Sequence, residues 1–224
     1  MLFLIIQLIL VCLSITIVYI VFLGTNLLDL SFLPSPLEGL VVILLTFLIS
    51  YFTILFVLAF INKLTRLFLR DKEGELTRFE TILWTIKETA WDLARLITKK
   101  IMLLPLFPDV LTKLFGFKRR KGTSIMGDLW DLELIDIGEG TLIGTRAMIT
   151  AHHIRRGKLF RRRIRIGRNC TLGIMSIVLP GAEIGDNTLI SAGSLVPANW
   201  KLDSNCIYSG VPVKKIKEIN TNDK

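Results

Sequence analysis

The chain has 224 residues, 51% of them hydrophobic, with a formal net charge of +9 and a pI near 9.7. So apolar a composition excludes an ordinary soluble domain and points to membrane spans. The positive excess suits anionic lipid, a phosphate-bearing ligand or nucleic acid, but the aromatic spacing of a nucleic-acid module is missing, so membrane lipids are the expected partner and nucleic acid is not.

Residues 1–28 carry no charged side chain. Segment 2–23 is long enough to span a bilayer, whose core takes about 20 apolar residues. It has no clear basic start or small-residue cleavage site, so it reads as a retained helix. Leu33-Pro34-Ser35-Pro36 reads as a turn, since proline breaks helical hydrogen bonding and pushes its predecessor out of the helical region. A second uncharged run covers 39–62. Residues 1–62 are therefore expected to form a transmembrane helical hairpin. Its loop has no Lys or Arg, whereas Lys63, Arg66, Arg70 and Lys72 follow the second run. The positive-inside bias then puts both termini, and everything after residue 62, on the cytoplasmic side of the cell membrane.

Residues 63–121 read as an amphipathic, interfacial helical linker. In 75–100, Phe79, Leu83, Ile86, Ala90, Leu93 and Ile97 recur at spacings of four and three, the stripe of one helix face. Trp84 and Trp91 share a neighbouring face. The helix either lies in the membrane interface or packs on protein, and both readings stay open. Segment 101–117 is apolar but interrupted by Pro105 and Pro108, which suits short re-entrant or interfacial helices. A basic run, 118–121, leads into the last domain.

From 122 to 219 the pattern changes to a six-residue period. Ile166, Leu172, Val178, Ile184, Ile190 and Val196 are six apart, with Gly167, Gly173 and Gly185 after three of them. Three short strands and three turns make a coil of 18 residues. Ile166 should then stack on Ile184, Leu172 on Ile190 and Val178 on Val196. Such a period is the signature of a β-helix. Ile137, Ile143 and Ile149 keep the same rhythm upstream. The step from Ile149 to Ile166 is 17 residues, which fits one normal step plus an extruded loop of about eleven, roughly 153–163. Residues 220–224 form a short polar tail.

The Ile-Gly repeats, the ITAHH segment before the loop, VLPGAEIGDN, ISAGSLVP and the closing GVPVKKI together resemble the hexapeptide-repeat acyltransferases. The resemblance covers about 125–219 and implies a left-handed parallel β-helix, so that the whole chain is expected to be α+β: a transmembrane helical hairpin and amphipathic helices, then the β-helix. It also implies acyl transfer from acyl-CoA, above all acetyl-CoA, to a hydroxyl or amine. The acceptor would be a small molecule or a lipid-linked precursor, and the assembly a homotrimer with donor grooves between subunits.

Acyl transfer needs a base for the acceptor's proton, and histidine suits it near neutral pH. The chain has only His152 and His153. The ITAH match favours His152, while a register shifted in some family members favours His153. By the same resemblance Ser176, Ala192, Gly193 and Ser194 would line the donor groove, and Lys214 and Lys215 would meet nucleotide phosphates as point charges. Ile174 and Met175 stand where the family has small residues, and Val211 replaces an Asn. No metal is expected: two histidines cannot supply a three-histidine zinc site, and Cys12, Cys170 and Cys206 have no ligand spacing. The loop 154–165 holds Arg155, Arg156, Lys158, Arg161, Arg162, Arg163 and Arg165. Packed like charges repel, so an anionic acceptor or lipid is expected there. A non-catalytic β-helix that scaffolds a membrane complex is the second reading, because fold does not fix function.

Overall fold

The computed structural model describes residues 35–69, 72–101, 107–117 and 120–219, with scattered positions between 12 and 24. The expected first span, 2–23, lies largely outside the described residues. The chain divides into two compact units, one of residues 1–68 and 82–105, the other of residues 69–81 and 106–224. Residues 69–81, expected in a linker, thus group with the β-helix.

In the first unit, helix α1 spans Ser35–Leu69. Pro36 sits in its first turn, where a missing N–H removes no intrahelical bond. Among the described residues it contains the one helix long and apolar enough to cross a membrane, Gly39–Leu69. Phe47, Phe52, Phe56 and Phe60 are exposed along it. Its buried polar side chains are satisfied locally at two positions: Thr46 and Thr65 hydroxyls donate to the carbonyls of Val42 and Ile61. Helix α2 spans Arg78–Ile101, close to the expected segment. Its buried face includes Ala90, Trp91, Leu93 and Ala94 but also Lys87 and Glu88, which pair at 2.9 Å. Phe79, at the start of the apolar stripe, is exposed.

Thr77 and Glu80 start α2 as a capping box. The Thr77 N–H donates to Glu80 Oε2 at 2.8 Å, and the Glu80 N–H donates to Thr77 Oγ1 at 3.3 Å. Lys72 Nζ donates to both Glu80 carboxylate oxygens, at 2.7 and 2.8 Å. The Lys72 bond and the Thr77 N–H hold the Glu80 carboxyl down at about 2. A depressed folded-state value means stability that is present above the ordinary carboxylate range and is lost as pH falls through about 2. The melting-temperature gap between wild type and Glu80→Gln should therefore be widest above pH 5 and narrow toward pH 2. An equal gap at both ends would remove the ionised carboxylate from the account.

In the second unit, a short helix α3, Phe107–Leu114, leads into the β-helix. Its first face stacks β2 (Ser124–Ile125), β5 (Leu142–Ile143), β10 (Thr171–Leu172), β13 (Leu189–Ile190) and β16 (Cys206–Ser209) in parallel. An antiparallel β17, Lys214–Glu218, follows at the edge. The second face stacks β3 (Asp128–Trp130), β6 (Met148–Thr150), β11 (Ile177–Val178) and β14 (Leu195–Val196). The third stacks β4 (Ile135–Ile137), β9 (Ile164–Ile166), β12 (Glu183–Ile184) and β15 (Lys201–Leu202).

The ladders are those the period requires. Ile184 pairs with Ile166, Leu172 with Ile190 and Val178 with Val196. Coils repeat so closely that Gly173 has no room for a side chain: a Cβ there would stand 2.4 Å from the Ala192 nitrogen. Asn169, Asn187 and Asn205, again 18 apart, hold the left-handed conformation at one corner, with φ of 53°, 54° and 57°. Asn tolerates that region better than most side chains. Cys170 and Cys206 are buried at equivalent corner positions together with Thr141 and Thr188. Burial pushes the Cys170 thiol up, so it packs as a core residue and is a poor nucleophile.

The outer surfaces of the three faces differ. The third face carries an alternating charge row, with Arg165 and Lys201 both bonded to Glu183 at 3.0 Å. On the first two faces the outward positions include Leu142, Leu189, Met148 and Leu195, with Leu142 and Met148 exposed.

The extruded loop is a β-hairpin, β7 (His152–Arg155) and β8 (Lys158–Arg161). Its two-residue turn has Arg156 and Gly157 at φ of 50° and 74°, as the twist of a tight hairpin favours. A two-residue strand, β1 (Gly74–Glu75), adds to the free edge of β8, giving a small sheet of order β1-β8-β7. The sequence placed Glu75 at the start of a helix; it is a strand residue, and the helix begins three residues later.

Candidate active site

His152 begins β7, directly after the Ile149 ladder position and Ala151, at the corner where the regular coil gives way to the hairpin. Its ring is partly exposed. Nδ1 lies 2.6 Å from Asp131 Oδ2, and Thr150 Oγ1 is 3.2 Å from the same nitrogen. Asp131 is fully buried, in the left-handed region at φ 61°, ψ 56°, between β3 and a 3-10 turn at Leu132–Leu134. Asp is among the few residues that adopt that conformation at low cost. The other carboxylate oxygen, Oδ1, accepts from Arg161 Nε at 3.0 Å. A carboxylate accepting on both oxygens fixes the imidazole tautomer with its proton on Nδ1. Nε2 then carries the lone pair, which is the form a general base needs.

His153 has a different setting. Its ring stacks on Phe160 at 5.5 Å between centroids and 13° between planes. Its Nδ1 is buried with no hydrogen-bond partner among the described residues. No acid orients it among the described residues, and packing on Phe160 explains its place in the hairpin. The two histidines, adjacent in sequence, point to opposite sides of β7 because strand side chains alternate.

The basic loop residues separate into two groups. Arg155 and Arg156 are exposed at the hairpin tip, next to Ile154, which is 71% exposed. The others are engaged. Arg161 is buried, with its guanidinium on Asp131 and Glu133. Arg162 Nη1 donates to Asn199 Oδ1 at 2.6 Å. Arg163 pairs with Asp136 at 3.3 Å and Glu73 at 3.5 Å. Lys158 pairs with Glu75. Of the arginines expected to meet an anion, Arg155 and Arg156 are exposed, while Arg161 is removed from any outside anion by burial. The acids that engage these residues come from segments far away in sequence, which is why charge counting along the loop missed them.

Ser176, Ala192, Gly193 and Ser194 come together at the corner between the first and second faces. Gly193 N–H donates to the Ile174 carbonyl at 2.8 Å, stacking the two turns. Ala192 and Gly193 are exposed, and nothing stands within 4 Å of a Cβ built on Gly193. Ser176 and Ser194 are buried; Ser194 Oγ accepts from the Gly210 N–H at 3.1 Å. Ile174 and Met175 project outward at this corner and are 54% and 51% exposed. Lys214 is exposed on β17. Lys215 Nζ pairs with Glu218 at 2.8 Å and Asp203 at 3.6 Å, and the Glu218 bond raises its pKa. Within one chain this corner and His152 sit at opposite edges of the second face, with strands of two or three residues between them. Among the described residues no group of His, Cys, Asp and Glu could hold a metal ion.

The stacked six-residue coils, with a histidine held by a buried acid where they break, define a hexapeptide-repeat β-helix. Residues 163–198 match the family model "Bacterial transferase hexapeptide (six repeats)". Over 97 residues the chain is 34% identical to a galactoside O-acetyltransferase of Escherichia coli (strain K12), covering 40% of this chain and 47% of that protein. Over 114 residues it is 33% identical to a galactoside O-acetyltransferase of Lactococcus lactis subsp. lactis (strain IL1403), covering 46% and 54%. The chain spans about half the length of the curated relatives it matches. A hexapeptide-repeat-containing acetyltransferase from Vibrio cholerae is similar in structure, with a TM-score of 0.51 over 66% of this chain and 96% of that one. At 13% identity that likeness speaks for the fold alone.

Proposed function

We propose that the chain is a membrane-anchored acyltransferase that moves an acyl group, foremost acetyl, from acyl-CoA to a hydroxyl or amine on a glycan or lipid precursor. The single observation that carries this reading is the 2.6 Å bond from His152 Nδ1 to buried Asp131, at the break in a hexapeptide-repeat coil. In the reaction His152 Nε2 takes the acceptor's proton as its oxygen or nitrogen bonds to the acyl carbon. The C–S bond breaks, and the same proton passes from Nε2 to the departing sulfur, giving a free thiol and an ester or amide. Asp131 touches neither reactant; it holds the ring and faces the positive charge that forms on it.

The donor would lie along the corner of Ala192 and Gly193, with Ser176 and Ser194 beneath it and Lys214 better placed for a phosphate than the paired Lys215. His152 of one chain lies at the far edge of the second face from its own corner. A second copy supplies that corner most simply, and the apolar outer positions of the first two faces favour self-association over the charged third face. This supports a homotrimer with sites between subunits. Anchoring rests on α1, whose phenylalanines face outward, and on the basic residues after 62, which favour a cytoplasmic β-helix. Arg155 and Arg156 at the hairpin tip are left to meet an anionic acceptor or headgroup.

Thiol release from acetyl-CoA, measured on the detergent-solubilised chain with neutral and anionic glycosides and lipid-linked sugars, tests this. Acceptor-dependent release carries the reading. A chain that neither binds nor consumes acetyl-CoA with any acceptor is a scaffold. Arg155→Ala together with Arg156→Ala should raise KM for anionic acceptors several-fold, and less so in high salt, where exposed charges are screened. Unchanged KM at low salt would leave the hairpin tip as solvated surface.

A further inference from the structure

We propose that Arg161 is a positioning residue for His152, and that the segment Lys72–Leu76, far upstream in sequence, completes the clamp that holds it. This rests on the reading of His152 as the base. Arg161 is 1% exposed, and all three guanidinium nitrogens are used. Nε donates to Asp131 Oδ1 at 3.0 Å, Nη2 to Glu133 Oε1, and Nη1 to the Lys72 carbonyl at 3.4 Å. The first two bonds fix the turn that presents Asp131 to His152.

The backbone couples the same residues a second time. In the small sheet, Gly74 pairs with Arg161, and Arg161 pairs with His152. The three lie in one row across β1, β8 and β7. Residues directly opposite in an antiparallel pair project to the same side, so Arg161 and His152 both reach Asp131 from one face. The Leu76 N–H adds a bond to the Leu159 carbonyl at 2.9 Å, and the Arg163 N–H donates to Glu73. Residues 72–76 thus cover the outer edge of the strand whose arginine sets the acid.

Charge strengthens the assignment. Asp131 and Glu133 bring two carboxylates to the cluster, and Arg161 brings one guanidinium. The Asp131 carboxylate faces His152, where a proton arrives during transfer. A planar fork with donors on three nitrogens meets three acceptors from two segments at once; a lysine ammonium has the charge but not the spread.

The test uses the full-length protein in detergent. Arg161→Lys is compared with wild type and with Lys201→Ala, a control on the charged third face. The first readout is the rate at which diethyl pyrocarbonate modifies His152, assigned by fragment-ion mass spectrometry that separates it from the adjacent His153. The second is kcat and KM for acetyl-CoA. In Arg161→Lys we expect His152 to be modified several-fold faster and His153 at its former rate. We expect kcat to fall about 10- to 100-fold, the scale of a misplaced catalytic group, with KM for acetyl-CoA within about twofold. Lys201→Ala should match wild type in both. A lowered melting temperature with unchanged His152 labelling and unchanged kcat would make Arg161 a structural residue only and overturn the proposal. If Arg161→Lys does not fold, Arg161→Met combined with Glu133→Gln, which removes one carboxylate with the guanidinium, carries the same labelling measurement. If wild type transfers no acyl group to any acceptor, the function proposed above fails, and the labelling alone still decides whether Arg161 sets His152.

Discussion

His152→Ala is expected to lower kcat by about 10²–10⁴, the usual contribution of a positioned base, while acetyl-CoA affinity stays within a few-fold. A hydroxyl attacks a thioester poorly until its proton can leave, and His152 is the ring whose Nδ1 proton is held by a buried acid at 2.6 Å. The base acts as charge develops, so its loss should appear in kcat and not in donor binding. His153→Ala removes instead a ring stacked on Phe160 and should cost stability, with turnover per folded molecule near wild type. The measurement is steady-state thiol release by both variants with the best acceptor found. Full turnover by His152→Ala would end the acid–base mechanism. Loss confined to His153→Ala would move the base one residue along and leave the Asp131 contact without a catalytic part.

How far the site was legible before the structure depends on the sequence distance of each contact. The ladders were readable because a six-residue period needs only local spacing: Ile184 on Ile166 and Val178 on Val196 are what the rhythm dictates. The eleven-residue insertion was readable too, since pairs above and below it shift from 18 to 29 residues, as with Ile149 and Val178. Its form was missed although a signal was present. Arg156-Gly157, with alternating residues on both sides, is a tight-turn pattern of the kind that joins two strands. The acids were not legible at all. Asp131 lies 21 residues from His152 and 30 from Arg161, and nothing in its neighbourhood marks it apart from other carboxylates. Likewise Glu75 read as the start of a helix and not as strand, because two residues show no strand period and the partner of Gly74 is 87 positions away. The basic loop was misjudged for the same reason: its repulsion is relieved by Glu73, Glu75, Asp131, Glu133 and Asp136, none of which lies within it.

Ile149→Ala is expected to destabilise the β-helix by about 2–5 kcal/mol, the range for truncating a buried Ile to Ala, and to reduce turnover of the molecules that remain folded. Ile149 is fully buried in the row Leu129–Ile149–Val178–Val196. Its side chain fills the interior of the prism, and the coil above and below is locked by parallel strands that cannot close around the gap independently. Protein interiors pack densely enough that such a cavity is only partly recovered by relaxation. For a chain of this size roughly 2–4 °C of melting temperature follows each kcal/mol. Thr150 of the same strand and Ala151 just after it turn the loss of packing into a loss of function. Thr150 contacts the His152 ring at 3.2 Å, and the Arg162 N–H bonds the Ala151 carbonyl at 2.8 Å. A shift of β6 toward the cavity therefore carries one end of the His152 setting with it while Asp131, fixed by Arg161 and Glu133, stays. Thermal denaturation and single-turnover rates on the folded fraction separate the two effects. A variant that melts near wild type would show that the ladder position is not close-packed. One that melts early yet turns over at the wild-type rate would show that the hairpin alone, and not the coil beneath it, holds His152.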